Sequence, residues 1–201
     1  MPTFEAKLLE ARDYEIALSQ WLQKQFGAYI VPTYDYGGLG DKKAPKMYPL
    51  LESKGLVLPD LMACSNGKTV WVECKWKSEA SFYRKHNIRT TGINARHYKH
   101  YRKVKTVSGC KVVIMFLHVA ENEMRGAEID SMPPIDHQYA GGKMGQSGMV
   151  FWAYDDIKRW CSLGEVIQKQ APATLYDSGA LLYRWPPPFN QETSTDGNST
   201  D

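Results

Sequence analysis

Asn66-Gly67 stands between two apolar, β-prone stretches, "LPDLMACS" (58–65) and "KTVWVECKWK" (68–77). An Asn-Gly pair so flanked is the strongest short-range signal for a two-residue β-hairpin, because the favoured turn needs positive φ at both central residues. A turn on those two residues fixes the pairing of everything around it. Ser65 then faces Lys68, Cys64 faces Thr69, Ala63 faces Val70, Met62 faces Trp71 and Leu61 faces Val72. Asp60 comes opposite Glu73.

Side chains alternate faces along a strand. Leu61, Ala63, Val70 and Val72 therefore make an ordinary core face. Asp60, Glu73 and Lys75 gather on the other face, at the open end of the hairpin. Like charges placed directly opposite each other are destabilising, so the two acids need compensation. A shared proton, the Lys75 ammonium, or a bound divalent cation with hard oxygen ligands would each supply it.

The rest of the chain supplies the other layers. Leu8, Ala11, Leu18, Leu22 and Phe26 recur at helical spacing and predict a helix over 4–26, stopped at Gly27. Glu15 falls in the middle of that apolar stripe, where a carboxylate is costly unless paired or metal-bound; Glu10 is the fallback acid on the same helix. "AYIVPTYDY" (28–36) predicts a first strand, pushed to a sheet edge by Pro32. The glycine- and lysine-rich stretch 37–55 reads as a long loop with one helical turn at most. Residues 79–105 read as largely helical with a break at "RTTGI" (89–93). "KVVIMFLHVA" (111–120) is a continuous apolar run that suits a central strand buried on both faces. Residues 121–148 read as irregular, "MVFWAY" (149–154) as a strand, and Asp155-Asp156 as the cap of a short helix reaching about Leu163. This order predicts an α/β fold with helices on a mixed central sheet.

Pro59-Asp60, twelve intervening residues, then Glu73-Cys74-Lys75 resembles the motif of the PD-(D/E)XK nuclease superfamily. The surrounding element order resembles that family's αβββαβ core, the restriction-endonuclease-like fold. The resemblance covers roughly residues 5–160 and places a nuclease domain at 1–165. It implies that Asp60 and Glu73 bind a catalytic Mg2+ (Mn2+ as substitute), with the Cys74 backbone carbonyl as a further ligand. It implies that Lys75 orients and helps deprotonate the attacking water, and that an acid on the first helix, matched by Glu15, joins the site. The implied activity is metal-dependent hydrolysis of phosphodiester bonds in DNA, of endonuclease or resolvase type. The alternative is a nucleic-acid-binding module on the same scaffold that has lost catalysis.

Charge distribution points to the same partner. The net charge is only +3, yet the segment from Trp76 to Lys105 holds nine Lys or Arg residues against the single acid Glu79. Phosphate backbones are bound by such concentrations of positive charge. Arg89, Arg96 and Lys99 are the candidate phosphate contacts. Lys77 shares the face of Lys75 by strand period. Tyr101 is placed near the metal site by the resemblance. His97 and His100 read as surface residues. The glycine-rich stretches 37–46 and 141–148 lack the P-loop pattern.

No apolar run approaches the ~20 residues that a membrane-spanning helix needs, and the N-terminus lacks a signal-peptide pattern. None of the four cysteines forms a C-x-x-C pair, which disfavours zinc and redox motifs. Reduced thiols and a cytoplasmic location are expected. A homodimer is compatible with cutting both strands of a duplex. Residues 166–190 are expected to pack on the domain as an extension, and the polar tail 191–201 to be disordered.

Overall fold

The computed structural model describes residues 4–33, 46–47, 55–139 and 148–167, with side chains undescribed at 4–10 and 136–139. Most of the two glycine-rich loops, nearly all of the 166–190 extension and the 191–201 tail lie outside these residues. No helix of the described residues is long and apolar enough to cross a membrane.

The chain opens with α1 (Phe4–Phe26) and β1 (Tyr29–Pro32). A two-residue ladder follows, β2 (Lys46–Met47) with β3 (Leu56–Val57). The predicted hairpin is β4 (Leu61–Ser65) and β5 (Lys68–Lys77). Then come β6 (Ser81–Tyr83), β7 (Ile88–Asn94), α2 (Ala95–Ser108) and β8 (Lys111–His118). The remainder is β9 (Glu123–Glu128), β10 (Asp136–Tyr139), β11 (Met149–Ala153), β12 (Arg159–Ser162) and α3 (Leu163–Val166).

The main sheet runs β1-β4-β5-β8-β9-β12. Its strands are antiparallel except for β5 and β8, which pair in parallel and are joined across α2. Taken over the main sheet and its helices, the order α1, β1, β4, β5, α2, β8 is the expected αβββαβ core, a mixed central sheet flanked by helices. β1 is an edge strand, where Pro32 removes no ladder bond that a neighbour needs.

Asn66 and Gly67 adopt φ of 50° and 71°, the left-handed pair that a type I′ turn demands. The β4–β5 register is the one that turn dictates, from Ser65 opposite Lys68 to Leu61 opposite Val72. β8 is buried on both sides. Met115 and Leu117 join Leu18, Trp21, Leu22, Leu61 and Val72 in a core under α1. Ile114 and Phe116 join Trp71, Tyr101, Val104 and Trp152 in a second core under α2. Each such large side chain taken out of water stabilises the fold by about 1.5–3 kcal/mol. Phe26, at the end of the predicted α1 stripe, lies at the rim and meets Trp21 and Trp160 edge-on.

Three local expectations are corrected. Residues 79–94 are a β-hairpin, not a helix; only 95–108 is helical. Thr90, Thr91 and Ile93 are β-branched and fill a second sheet, ordered β10-β11-β7-β6. Gly92 lies so close to β11 that a Cβ there would collide with the Val150 carbonyl. The Asn94 side chain accepts the Arg96 amide at 2.9 Å and so starts α2 at its end. Second, residues 121–148 are not wholly irregular: β9 and β10 lie within them. Arg125 disguises β9, since its guanidinium is spent on the Tyr154 and Ile157 carbonyls. Third, Asp155 caps no helix but pairs with Arg89; 159–162 is β12, and a capping box of Ser162 and Glu165 begins the short α3.

Candidate active site

Strand alternation sorts the side chains of β5. Val72, Cys74 and Trp76 point toward α1, while Trp71, Glu73, Lys75 and Lys77 point toward α2. The Glu73 face is thus also an interior face. Glu73 is fully buried. The Lys75 ammonium pairs with its Oε1, and the Asp60 carboxyl lies within hydrogen-bonding reach of the Glu73 carboxylate.

Asp60 sits one residue before β4, buried to 3% exposure. Its Oδ2 accepts the Cys74 amide at 2.9 Å, beyond the last β4–β5 pair. Thr33 holds this corner from β1. Its amide and hydroxyl both donate to the Asp60 carbonyl at 2.9 Å, and the same hydroxyl reaches the Pro59 carbonyl at 2.6 Å. In an antiparallel pairing a residue's N–H and C=O face the same neighbour. The Cys74 carbonyl therefore opens on the Asp60 side, where β4 has ended. The Cys74 thiol points the other way, into the α1 core.

Glu15 comes from α1. Tyr14 stacks on Trp76 with ring centroids 5.9 Å apart, which locks the helix turn carrying Glu15 against the strand carrying Lys75. Burial, and next the Asp60 carboxylate, push the Glu15 carboxyl up to about 8. Burial, and next Glu73, push Asp60 up to about 7, with Lys75 and the Cys74 amide opposing. Asp60, Glu73 and Glu15 thus gather around the Lys75 ammonium, and burial with the neighbouring carboxylates raises the Asp60 and Glu15 carboxyls. All four residues expected from the motif and the first helix are brought to this place.

Two residues of α2 complete the surroundings. Tyr101 is buried, and its hydroxyl lies 3.4 Å from His97 Nδ1. His97 is not a plain surface residue. Burial, and next the Lys75 charge, push its imidazole down to about 4, so it is neutral beside Lys75 at neutral pH. Its i, i+4 relation to the core residue Tyr101 was the available signal. His100 is a structural tie, because its Nδ1 accepts the Val57 amide at 2.8 Å and joins β3 to α2.

The remaining expected contacts spread outward. Lys77 is largely enclosed, and burial and then Lys75 lower its ammonium. Arg96 and Lys99 are exposed on α2. Arg89 is exposed but engaged, paired with Asp155 at 2.7 Å and lying 4.6 Å over the Tyr154 ring.

The donor set suits a hard divalent cation: two carboxylates and a backbone carbonyl. The raised Asp60 and Glu15 carboxyls are features that a hard cation would relieve. Among the described residues, no three His, Cys, Asp or Glu side chains are grouped closely enough to hold a metal ion by themselves.

No family model and no curated protein sequence matches the chain. Among solved structures it is similar to Hjc, a Holliday junction resolvase from Archaeoglobus fulgidus, with 12% identity, a TM-score of 0.42, and 69% of this chain and 85% of that chain covered. It is also similar to D212, a nuclease from a fusselovirus, with 17% identity, a TM-score of 0.38, and coverage of 83% and 91%.

Proposed function

We propose that this chain is a Mg2+-dependent deoxyribonuclease, with Mn2+ as a substitute, that hydrolyses internal phosphodiester bonds. The observation that carries the reading is the buried Asp60–Glu73 pair, held at a strand junction with Lys75 beside it and Glu15 above. Burying that many acids costs stability and contributes nothing to packing, which is the pattern of a site kept for chemistry.

Asp60, Glu73 and the Cys74 carbonyl would hold the cation, with Glu15 closing the set. The cation, when bound, lowers the pKa of water and neutralises charge growing on the phosphate. Asp60 is held in place by Thr33 and the Cys74 amide, so its geometry does not depend on the ligand. Lys75 is pinned toward Glu73, where its ammonium can orient a water nucleophile and face the pentacovalent phosphate. Neutral His97 accepts or relays a hydrogen bond there without adding charge that would compete with Lys75. Lys77 on β5 and Arg96 and Lys99 on α2 extend positive charge from the site for the flanking phosphates.

Incubating supercoiled plasmid with the protein should give nicked and linear products in Mg2+ or Mn2+, and none in EDTA. Intact duplex, single-stranded and branched DNA in both metals would overturn the reading.

A further inference from the structure

The β6–β7 hairpin comes directly after the active-site strand and is not used by the chemistry above. Its turn is "RKHN" (84–87), with Asn87 at φ 54°. All four turn residues are exposed. Phe82, on the edge strand β6, is 59% exposed, the highest value of any large apolar side chain described. A bare aromatic on an edge strand invites aggregation unless it has a partner.

Register shows which way it faces. Phe82 is paired directly with Arg89, so both lie on one side of the second sheet. That is the side of Ile93 and Trp152, turned toward the main sheet and α2. Tyr154 lies between Arg89 and His118, its ring 4.6 Å from the Arg89 guanidinium and 4.8 Å from the His118 ring. His118 is in turn paired with Lys77 on β5. Phe82 and Arg89 therefore lie on the side of the second sheet that leads, through the buried Tyr154 and His118, to Lys77, Lys75 and Glu73. The seven residues of β7 at ~3.3 Å each put the hairpin turn about 23 Å from the start of α2, about seven nucleotides along a DNA strand at ~3.4 Å each.

We infer that the β6–β7 hairpin holds unpaired bases: the Phe82 ring stacks on a base while Arg84 and Lys85 carry the adjoining phosphates. Basic side chains interleaved with an exposed aromatic are what single-stranded segments require, since every base offers a π-face and a stacked duplex offers none to a lateral ring. The charge fits no other macromolecule as well, because the hairpin carries Arg84, Lys85 and Arg89 with Asp155 as the acid beside them. The substrate class is then DNA with an unpaired segment beside a duplex, such as a flap, fork or other branched end. This deepens the nuclease reading and rests on it for the cleavage that comes after binding.

Binding by fluorescence anisotropy in EDTA, where no strand is cut, separates the two. The probes are a continuous fluorescein-labelled duplex and the same duplex carrying a single-stranded flap. Wild type should bind the flapped probe more tightly. Phe82→Ala should weaken flap binding about tenfold and leave duplex binding within about twofold. Arg84→Ala with Lys85→Ala should weaken both probes and lower the salt slope by about two. Equal wild-type affinity for the two probes, or unchanged flap binding by Phe82→Ala, overturns the assignment. So does an equal loss on both probes. Any of these results leaves metal-dependent cleavage of plasmid intact, whereas loss of cleavage with normal flap binding sinks the nuclease reading alone.

Discussion

Lys75→Ala should cut DNA about a thousandfold more slowly than wild type in single-turnover assays, with binding of uncut DNA in EDTA nearly unchanged. Lys75 supplies an ammonium at the acid cluster, and a preorganised donor at such a place is worth ~10²–10³ in rate. Lys75→Arg should not restore activity, because a planar guanidinium cannot take the position of a compact ammonium against a buried carboxylate. The same substitution has a structural effect to be measured beside it. Glu73 is fully buried, and Lys75 is its partner. Removing that partner leaves an uncompensated charge, which costs ~3–5 kcal/mol. The variant should therefore melt lower in EDTA and recover in Mg2+. Cleavage near the wild-type rate by folded Lys75→Ala would remove Lys75 from the chemistry.

Asp60→Asn should do the opposite to stability while also abolishing cleavage. The Asp60 carboxyl has its ordinary value of 3.8 in the unfolded chain and about 7 in the fold. Between those values the folded state holds a proton that the unfolded state has lost. Stability in EDTA therefore falls as pH rises through that window, and Glu15, at about 8, extends the fall. A drop in Tm of more than about 4 °C from pH 5 to pH 8.5 is expected. Asn at position 60 can still accept the Cys74 amide but carries no charge, so the variant should melt higher than wild type at pH 8.5 and show a flatter pH profile. Mg2+ should raise the wild-type Tm at pH 8.5 far more than at pH 5.5, and should do little for the variant. A wild-type Tm that climbs with pH in EDTA over this range would contradict the crowded-acid account.

Much of this site could be read from the chain because two residues, Asn66 and Gly67, dictate a turn of one geometry. The turn sets the register, and the register brings Asp60 to Glu73. The unbroken apolar run of β8 and the 4–26 periodicity placed the two layers that enclose the pair. The failures have a common cause. β7 and β9 are strands whose polar residues are satisfied by distant partners: Arg89 by Asp155, and Arg125 by carbonyls of 154 and 157. Local pattern carries no record of such contacts. His97 differs, since its i, i+4 spacing from Tyr101 marks the buried side of α2, but only the packing of α2 on the sheet brings it to Lys75. Thr33 has no local mark at all; its role appears only when β1 pairs with β4.

Calorimetric titration of Mn2+ into the metal-free protein at pH 7, in two buffers of different ionisation enthalpy, reaches the central claim without depending on any substrate. Asp60 and Glu15 hold protons near that pH, so a cation must displace them. The account predicts saturable binding whose heat differs between the buffers by the released protons, and its loss in Glu73→Gln. Absence of binding by wild type, or binding by Glu73→Gln equal to wild type, would contradict it.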